Sequence, residues 1–400
     1  MLSKQTINII KSTVPVLETH GEEITGRFYD LMFQAHPELL NMFNQTNQKK
    51  KTQRTALAAA VYAAAANIDQ LENIIPVVKM ISHKHRSIGV KPEHYPIVGT
   101  YLLKAIKDVL GDKATPDIMQ AWETAYGVIA DAFIGIEKDM YQHAGEQKGG
   151  WIDYKRFLIL KKMEESKGIT SFYLQPADGQ SLPPFEAGQY ISVRVRIPGS
   201  AYTHIRQYSL SDAFHGNVYR ISVKKDGVVS TYLHDQLEEG DSIEVSAPAG
   251  DFVLNDSSEK PLVLISAGVG ITPMMSMLHT AVKQQPERHI LFIHAAKNSE
   301  HHAFRQETEE VAKDSFAQPV FIYSEPTNDD YKKGIAFCEG RIDKSLINRL
   351  VVNPQADYYV CGSEAFMAHM QHLITTELGA PADSIHVERF GPQLSMKAYN

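Results

Sequence analysis

The 400-residue sequence predicts a multidomain protein: an all-α domain, then an antiparallel β-barrel, then an α/β domain built on a parallel sheet. Three observations carry this. Apolar residues recur at three- and four-residue spacing up to about residue 145, the period falls to two from Trp151, and from Pro261 continuous apolar runs alternate with helical stretches. The expected domains are 1–147, 148–260 and 261–400, with no internal repeat.

Helices are expected near 5–18, 21–35, 52–66, 71–87, 94–110 and from Thr115. The last is the clearest. Thr115 can cap, Pro116 suits the first turn, and Asp117 suits the positive helix end. Ile118, Trp122, Ala125, Ile129, Phe133 and Ile136 then form one apolar face. Gly149-Gly150 ends the pattern. In the second region Ile191, Val193, Val195 and Ile197 alternate with Ser192, Arg194 and Arg196, the mark of a half-buried strand. Further short strands are expected near 154–163, 169–175, 217–224 and 241–247. In the third, the apolar runs 262–265, 290–293, 320–323 and 358–360 alternate with helices expected near 272–284 and 301–312. Such runs predict strands covered on both faces.

Composition narrows the function. The chain is 43% hydrophobic and 22% charged, as folded domains are. Lys and Arg balance Asp and Glu at 16 each in residues 1–150, and the remainder carries the whole net charge of −7. Without a basic block, nucleic acid is excluded as a partner. Two cysteines, Cys338 and Cys361, exclude a disulfide scaffold, and without CxxCH any haem would be held non-covalently. The longest apolar run, 56–66, is short of the roughly eighteen residues of a membrane span. The start of the chain has no basic, apolar and small-residue leader pattern, so a soluble, cytoplasmic protein is expected.

Ser266-Ala267-Gly268-Val269-Gly270-Ile271-Thr272-Pro273 follows the first α/β strand and opens a helix. Glycines there let the backbone approach a pyrophosphate, to which the helix N-terminus offers amides. The pattern is GxGxxP, not GxGxxG. In the barrel region Arg206-Gln207-Tyr208-Ser209 lies at a strand beginning, and Gly227-Val228-Val229-Ser230 leads into a helix expected over 231–236. Together these resemble the RxYS, GxxS and GVGITP elements of the ferredoxin–NADP reductase family. The resemblance implies FAD and a nicotinamide nucleotide. Arg206 would fork onto a phosphate, Tyr208 would lie against a flat ring, Ser209 would bond the flavin edge, and Ser230 would place a helix N-terminus at the pyrophosphate. It also implicates Gln207, Gly227, Tyr190 and the segment Glu388-Arg389-Phe390-Gly391-Pro392, with Phe390 shielding the flavin until nicotinamide displaces it. Cys361-Gly362 matches the family's second nucleotide-contacting turn. Arg389 departs from several relatives, which carry a smaller or uncharged residue there. Ala295-Ala296-Lys297-Asn298 has no arginine to clamp a 2′-phosphate, which slightly favours NADH over NADPH.

Seventeen histidines make any lone one weak as a ligand. His85 differs, because Ile74, Val78 and Ile81 precede it at spacings of four, three and four on one helix face. By position alone a satisfied core histidine is the stronger alternative. His83 projects elsewhere. Gln53, Leu57 and Val61 form a second stripe, followed by an alanine-rich run that lets a helix or a flat ligand come close. Tyr29 sits between Gly26 and Phe33, and Met42-Phe43 adds an aromatic beyond the bend at His36-Pro37.

This arrangement resembles the globin module of bacterial flavohaemoglobins, and with the reductase motifs the resemblance spans essentially the full chain. It implies Tyr29, Gln53 and Leu57 as distal residues, Phe43 stacked on haem, and His85 as proximal iron ligand. Tyr95, Glu137 and Lys84 would form the proximal network, with Lys84 and Glu388 tuning redox. The implied cofactors are haem b, FAD and NADH or NADPH. The implied activity is nitric oxide dioxygenation, NO and O2 becoming nitrate as electrons pass from NAD(P)H through FAD to haem. Alternatives are an NADH-dependent haem/flavin reductase acting on alkyl hydroperoxides or ferric acceptors, and an O2-binding or sensing globin. The partners implied are NO, O2 and NAD(P)H, with no obligate protein partner and a monomeric state; peripheral lipid contact stays open.

Overall fold

A computed structural model describes residues 2–43 and 52–391. The first region consists of helices α1 (Lys4–Ala35), α2 (Thr52–Ala66), α3 (Ile75–Ile88), α4 (His94–Leu110) and α5 (Pro116–Glu146). Hydroxyls of Ser3 and Thr115 accept the first free amides of α1 and α5, as caps do. Ile10, Leu17, Ile24, Phe28, Met32, Leu102, Ile106 and Trp122 meet in its core. The spacing predicts two stretches, 5–18 and 21–35, but α1 runs unbroken through Pro15 and Gly21. Gly21 marks a close helix crossing, not a break. A β-carbon there would lie 3.4 Å from the Ala58 side chain of α2.

Strands β1 (Tyr154–Ser166), β2 (Ile169–Pro176), β3 (Tyr190–Val195), β4 (His204–Ser209), β5 (Tyr219–Lys224) and β6 (Ser242–Ser246) form one antiparallel sheet in the order β4-β3-β6-β1-β2-β5. A bridge between Leu210 and Ile221 joins the two ends, so the sheet closes into a barrel. Phe157, Ile159, Phe172, Ile191, Val193, Tyr219 and Val245 fill it. Helix α6 (Val228–Asp235) starts three residues earlier than expected. The Ser230 hydroxyl, accepting the Asp226 amide and donating to the Gly227 carbonyl, ties down its first turn.

The third region alternates β7 (Leu262–Ala267), α7 (Ile271–Gln284), β8 (Ile290–Ala296), α8 (Arg305–Lys313), β9 (Ala317–Tyr323), α9 (Asn328–Lys332), β10 (Cys338–Glu339), α10 (Lys344–Leu350), β11 (Asp357–Cys361), α11 (Glu364–Thr376) and β12 (Ile385–Glu388). The strands are parallel in the order β10-β9-β8-β7-β11-β12. Leu262 and Leu264 pack toward α7, while Val263 and Ile265 pack toward α10 and α11, as continuous apolar strands require. Helix α8 begins later than expected, after Phe304 in a left-handed conformation (φ 60°). The order reverses between β7 and β11, and ligands of open α/β sheets bind at such a switch point. No described helix is long and apolar enough to cross a membrane.

Candidate active site

Helices α2 and α3 flank a cavity of about 400 Å³. His85 lines it from α3, Gln53 and Leu57 from α2, and Tyr29 and Phe43 complete that half. Ala56 and Ala60 keep the α2 wall flat. The His85 ring is held from behind: Nδ1 lies 2.8 Å from Glu137 Oε1 and 3.2 Å from the Tyr95 hydroxyl, which itself donates to Glu137 Oε1 at 2.7 Å. A buried carboxylate at Nδ1 leaves Nε2 as the ring nitrogen for a metal, the arrangement of metal-ligating histidines. Burial first, then the Glu137 charge, pushes Tyr95 ionisation far above its usual range, so Tyr95 stays a donor. Tyr29 is 4% exposed. It stacks on Phe33 at 5.6 Å and meets the edge of Phe43 at 5.8 Å.

The same cavity runs on to the barrel, where Tyr190, Arg206, Gln207, Ser209, Glu388 and Phe390 line it. Antiparallel register places Tyr190 opposite Ser209 and Ser192 opposite Gln207 on one face of the β3–β4 pair; Arg206, opposite Val193, starts from the other face yet lines the same cavity. Arg206 is half-buried, and desolvation pulls its ionisation below the ordinary value. Helix α6, with Gly227 at its N-cap, packs against β4. Tyr208 does not line the cavity but packs against the barrel core. Arg389 and Gly391 line the cavity, and the Phe390 ring stays 50% exposed at its edge; Pro392 lies outside the described residues. Burial lowers the Lys84 ammonium and raises Glu388 to about 8, Asp251 adding to the second shift and Lys84 opposing it.

The nucleotide turns meet at the switch point. A β-carbon on Gly270 would stand 2.3 Å from the Cys361 carbonyl oxygen and 2.8 Å from the Gly362 nitrogen, so the turns after β7 and β11 touch backbone to backbone. Gly268 adopts φ 55°, Thr272 donates to the Val269 carbonyl at 3.0 Å, and Ile271 and Pro273 bury themselves in the first turn of α7. The Cys361 thiol is fully buried, and desolvation pushes its ionisation well above the usual value. It is a packing group, not a nucleophile.

Sequence reasoning missed Asp251, which lines the cavity near Glu388, and the contacts that dock α3 on the barrel. Arg86 donates to the Ala247 and Pro248 carbonyls, and His83 Nδ1 accepts from the Gly250 amide at 3.2 Å. The one available signal was Arg86-Ser87 on a helix whose other face is apolar, and solvent-facing residues read the same way.

The globin family model matches residues 26–133, that of the oxidoreductase FAD-binding domain 157–254, and that of the oxidoreductase NAD-binding domain 264–372. The flavohemoprotein of Bacillus subtilis is 71% identical over 396 residues, covering 99% of each chain. The chain belongs to the flavohemoprotein family. The Rhizobium meliloti flavohemoprotein is 46% identical over 98% of this chain and 99% of its own. The crystal structure of a Malassezia yamatoensis flavohemoglobin with bound FAD and haem superposes with a TM-score of 0.87 at 32% identity, covering 98% of this chain and all of that one. The FAD/NAD-binding part of a Vibrio cholerae nitric oxide dioxygenase matches 60% of this chain and 99% of its own at 38% identity (TM-score 0.55). Flavohemoprotein architecture, a globin joined to FAD- and NAD-binding domains, is what the sequence motifs imply. The residues fit the groups that architecture calls for: a carboxylate-oriented imidazole facing an apolar slot for haem, and Arg206, Gln207 and Ser209 lining the same cavity for FAD.

Proposed function

We propose that this flavohemoprotein is a nitric oxide dioxygenase that converts NO and O2 to nitrate, using electrons from NAD(P)H. What carries the reading is the single cavity lined by His85 and Tyr29 at one end and by Tyr190, Arg206 and Ser209 at the other. When bound, haem would supply redox-active iron for O2 chemistry, and FAD would supply conversion of a two-electron hydride donor to one-electron transfer. The chain does the rest. His85 would hold the haem iron, and Glu137 and Tyr95 would orient its imidazole and make it a stronger donor. Tyr29 and Gln53 would offer polar contacts to a bound ligand, while Leu57 and Phe43 would keep that part of the cavity dry and narrow. Arg206, Gln207, Tyr208, Ser209, Gly227 and Ser230 would hold FAD, together with Tyr190, Arg389 and Phe390. Gly268, Val269, Gly270, Ile271, Thr272, Pro273, Cys361 and Gly362 shape the nicotinamide nucleotide site, and Lys84 and Glu388 set the local field between the two halves.

Each NAD(P)H would serve two NO and two O2, giving two nitrates, NAD(P)+ and one proton. The functional units are taken as 1–147, 148–260 and 261–400, acting as a cytoplasmic monomer on small molecules alone. The relative named as a nitric oxide dioxygenase supports the reading for the reductase half. The test is NO consumption by the purified protein with NADH and O2, scored with nitrate formed. Brisk NADH oxidation with NO left untouched would overturn it in favour of a reductase for other acceptors.

A further inference from the structure

Ser192 lies on the face of β3 that the alternating pattern assigns to solvent, yet it is 0% exposed. Helix α3 of the globin domain covers it. Ser192 is the middle of a one-way hydrogen-bond chain: Gln207 Nε2 donates to Ser192 Oγ (3.0 Å), Ser192 Oγ to Ser87 Oγ (2.9 Å), and Ser87 Oγ to the Lys84 carbonyl (2.8 Å). Ser87 is also 0% exposed. Both hydroxyls accept and donate, so the bonds polarise one another in a dry setting. A helical serine often bonds the carbonyl of its own preceding turn, and that link alone would mean little. The non-local link, from the barrel to the helix that carries His85, is the informative one.

The residues around His85 repeat the pattern. His83 accepts from the Gly250 amide, Arg86 donates to the Ala247 and Pro248 carbonyls, and the Tyr154 hydroxyl donates to the Ser87 carbonyl at 3.0 Å. The His85 ring is turned by Glu137 and Tyr95 inside the globin domain, and its helix, packed chiefly on α5, is tied to the barrel by these further bonds. At the other end of the chain Gln207 lines the flavin half of the cavity.

The geometry points to Ser87 and Ser192 as positioning residues for electron delivery. Their relay ties the flavin-side strand to the helical turn that bears His85, so that contact with flavin at Gln207 and the set of the proximal histidine move together. This rests on the reading of the cavity as a shared flavin and haem site. Neither serine is a catalytic residue; both act through their neighbours.

The experiment compares full-length holoenzymes: wild type, Ser87→Ala, Ser192→Ala, the double variant, and Ser222→Ala. Ser222 bonds Ser171 and Ser211 in a buried cluster of the same barrel and serves as the control. Three quantities are read: flavin reduction by NADH, haem reduction by reduced flavin, and the iron–histidine stretching band of ferrous, ligand-free haem. Each single variant should slow haem reduction on the order of tenfold, mid-range for a change along a coupling network, and shift the band. Flavin reduction should hold its rate. The double variant should match the singles, because a relay breaks once, and Ser222→Ala should match wild type. Unchanged haem reduction and band in both singles, equal effects in Ser222→Ala, or effects that multiply in the double would overturn the relay. Loss of haem from both singles would overturn it too, in favour of a purely structural role. If wild type itself shows no haem reduction through flavin, the shared-site reading fails before the variants are compared.

Discussion

Glu137 is where one atom decides most. Its carboxylate is buried and takes two hydrogen bonds at Oε1, from the imidazole and from Tyr95. Hydrogen bonds to a charged acceptor are worth about 1.5–3 kcal/mol, roughly twice those to a neutral one. Glu137→Gln keeps the shape and removes the charge, so His85 should become a poorer electron donor. The expected outcome is haem retained, an iron–histidine stretching band at lower frequency and a raised haem reduction potential; an unmoved band would remove Glu137 from the network. Across the cavity, Tyr29→Phe keeps the ring packing against Phe33 and Phe43 and deletes only the hydroxyl. O2 release should speed up by about ten- to a hundredfold, and NO turnover should fall, as loss of a hydrogen bond to a partly charged oxygen requires. Stopped-flow O2 release unchanged from wild type would exclude the hydroxyl from ligand binding. Glu137 and Tyr95 were placed by resemblance, whereas His85, on a periodic apolar face, and Tyr29, spaced three and four from Gly26 and Phe33, were legible in the pattern. Ser87, Ser192 and Asp251 were not, because small polar and acidic residues on an apparent outer face look solvated whether or not another domain covers them.

At the scale of elements, the contact between the turns after β7 and β11 is the most exposed to a single change. Gly270→Ala would drive a β-carbon to 2.3 Å from the Cys361 carbonyl, and backbone on both sides has little room to give. Overpacking of this kind costs about 1–3 kcal/mol and would part the two turns. NADH-driven flavin reduction should fall by about tenfold or more while FAD stays bound and haem still takes carbon monoxide. Normal hydride transfer in this variant would mean that the two turns do not shape the nucleotide site together. The turn itself was readable from GVGITP after an apolar strand. Its partner at Cys361-Gly362 was placed by resemblance, since local sequence says nothing about which strands become neighbours. The same limit explains α1: local sequence does not show that Gly21 packs against Ala58, and the stretches expected at 5–18 and 21–35 form one helix.

For the whole molecule, the contacts that assemble the domains follow no periodicity and stay invisible in the sequence. One of them makes a sharp prediction. Arg220 of the barrel strand β5 forks onto Glu307 of α8, with Nη1 to Oε2 at 2.9 Å and Nη2 to Oε1 at 2.7 Å, and His279 of α7 adds a contact of 2.6 Å at Oε1. Asp212, His279 and Glu307 cluster closely enough to suggest a cation site, but the Arg220 guanidinium, 3.8 Å from Asp212, is the cation that fills it. Burial alone would raise the Glu307 carboxyl; the bonds from His279 and Arg220 overcome it and bring the group from 4.5 down to about 2. A folded-state value below the unfolded one means that the contribution is fully present above about pH 4.5 and is lost as pH falls toward 2. The size is on the order of 3 kcal/mol at neutral pH. Glu307→Gln should therefore release the nucleotide domain from the barrel at lower denaturant than wild type near pH 7, followed through FAD release and loss of NADH-driven flavin reduction. Near pH 3 the two proteins should draw together, because below about pH 4.5 the unfolded wild-type chain takes up the proton that the folded state refuses, which erodes the contribution. A gap that stays constant from neutral pH down to about pH 3 would show that the Arg220–Glu307 fork does not clamp the two reductase domains.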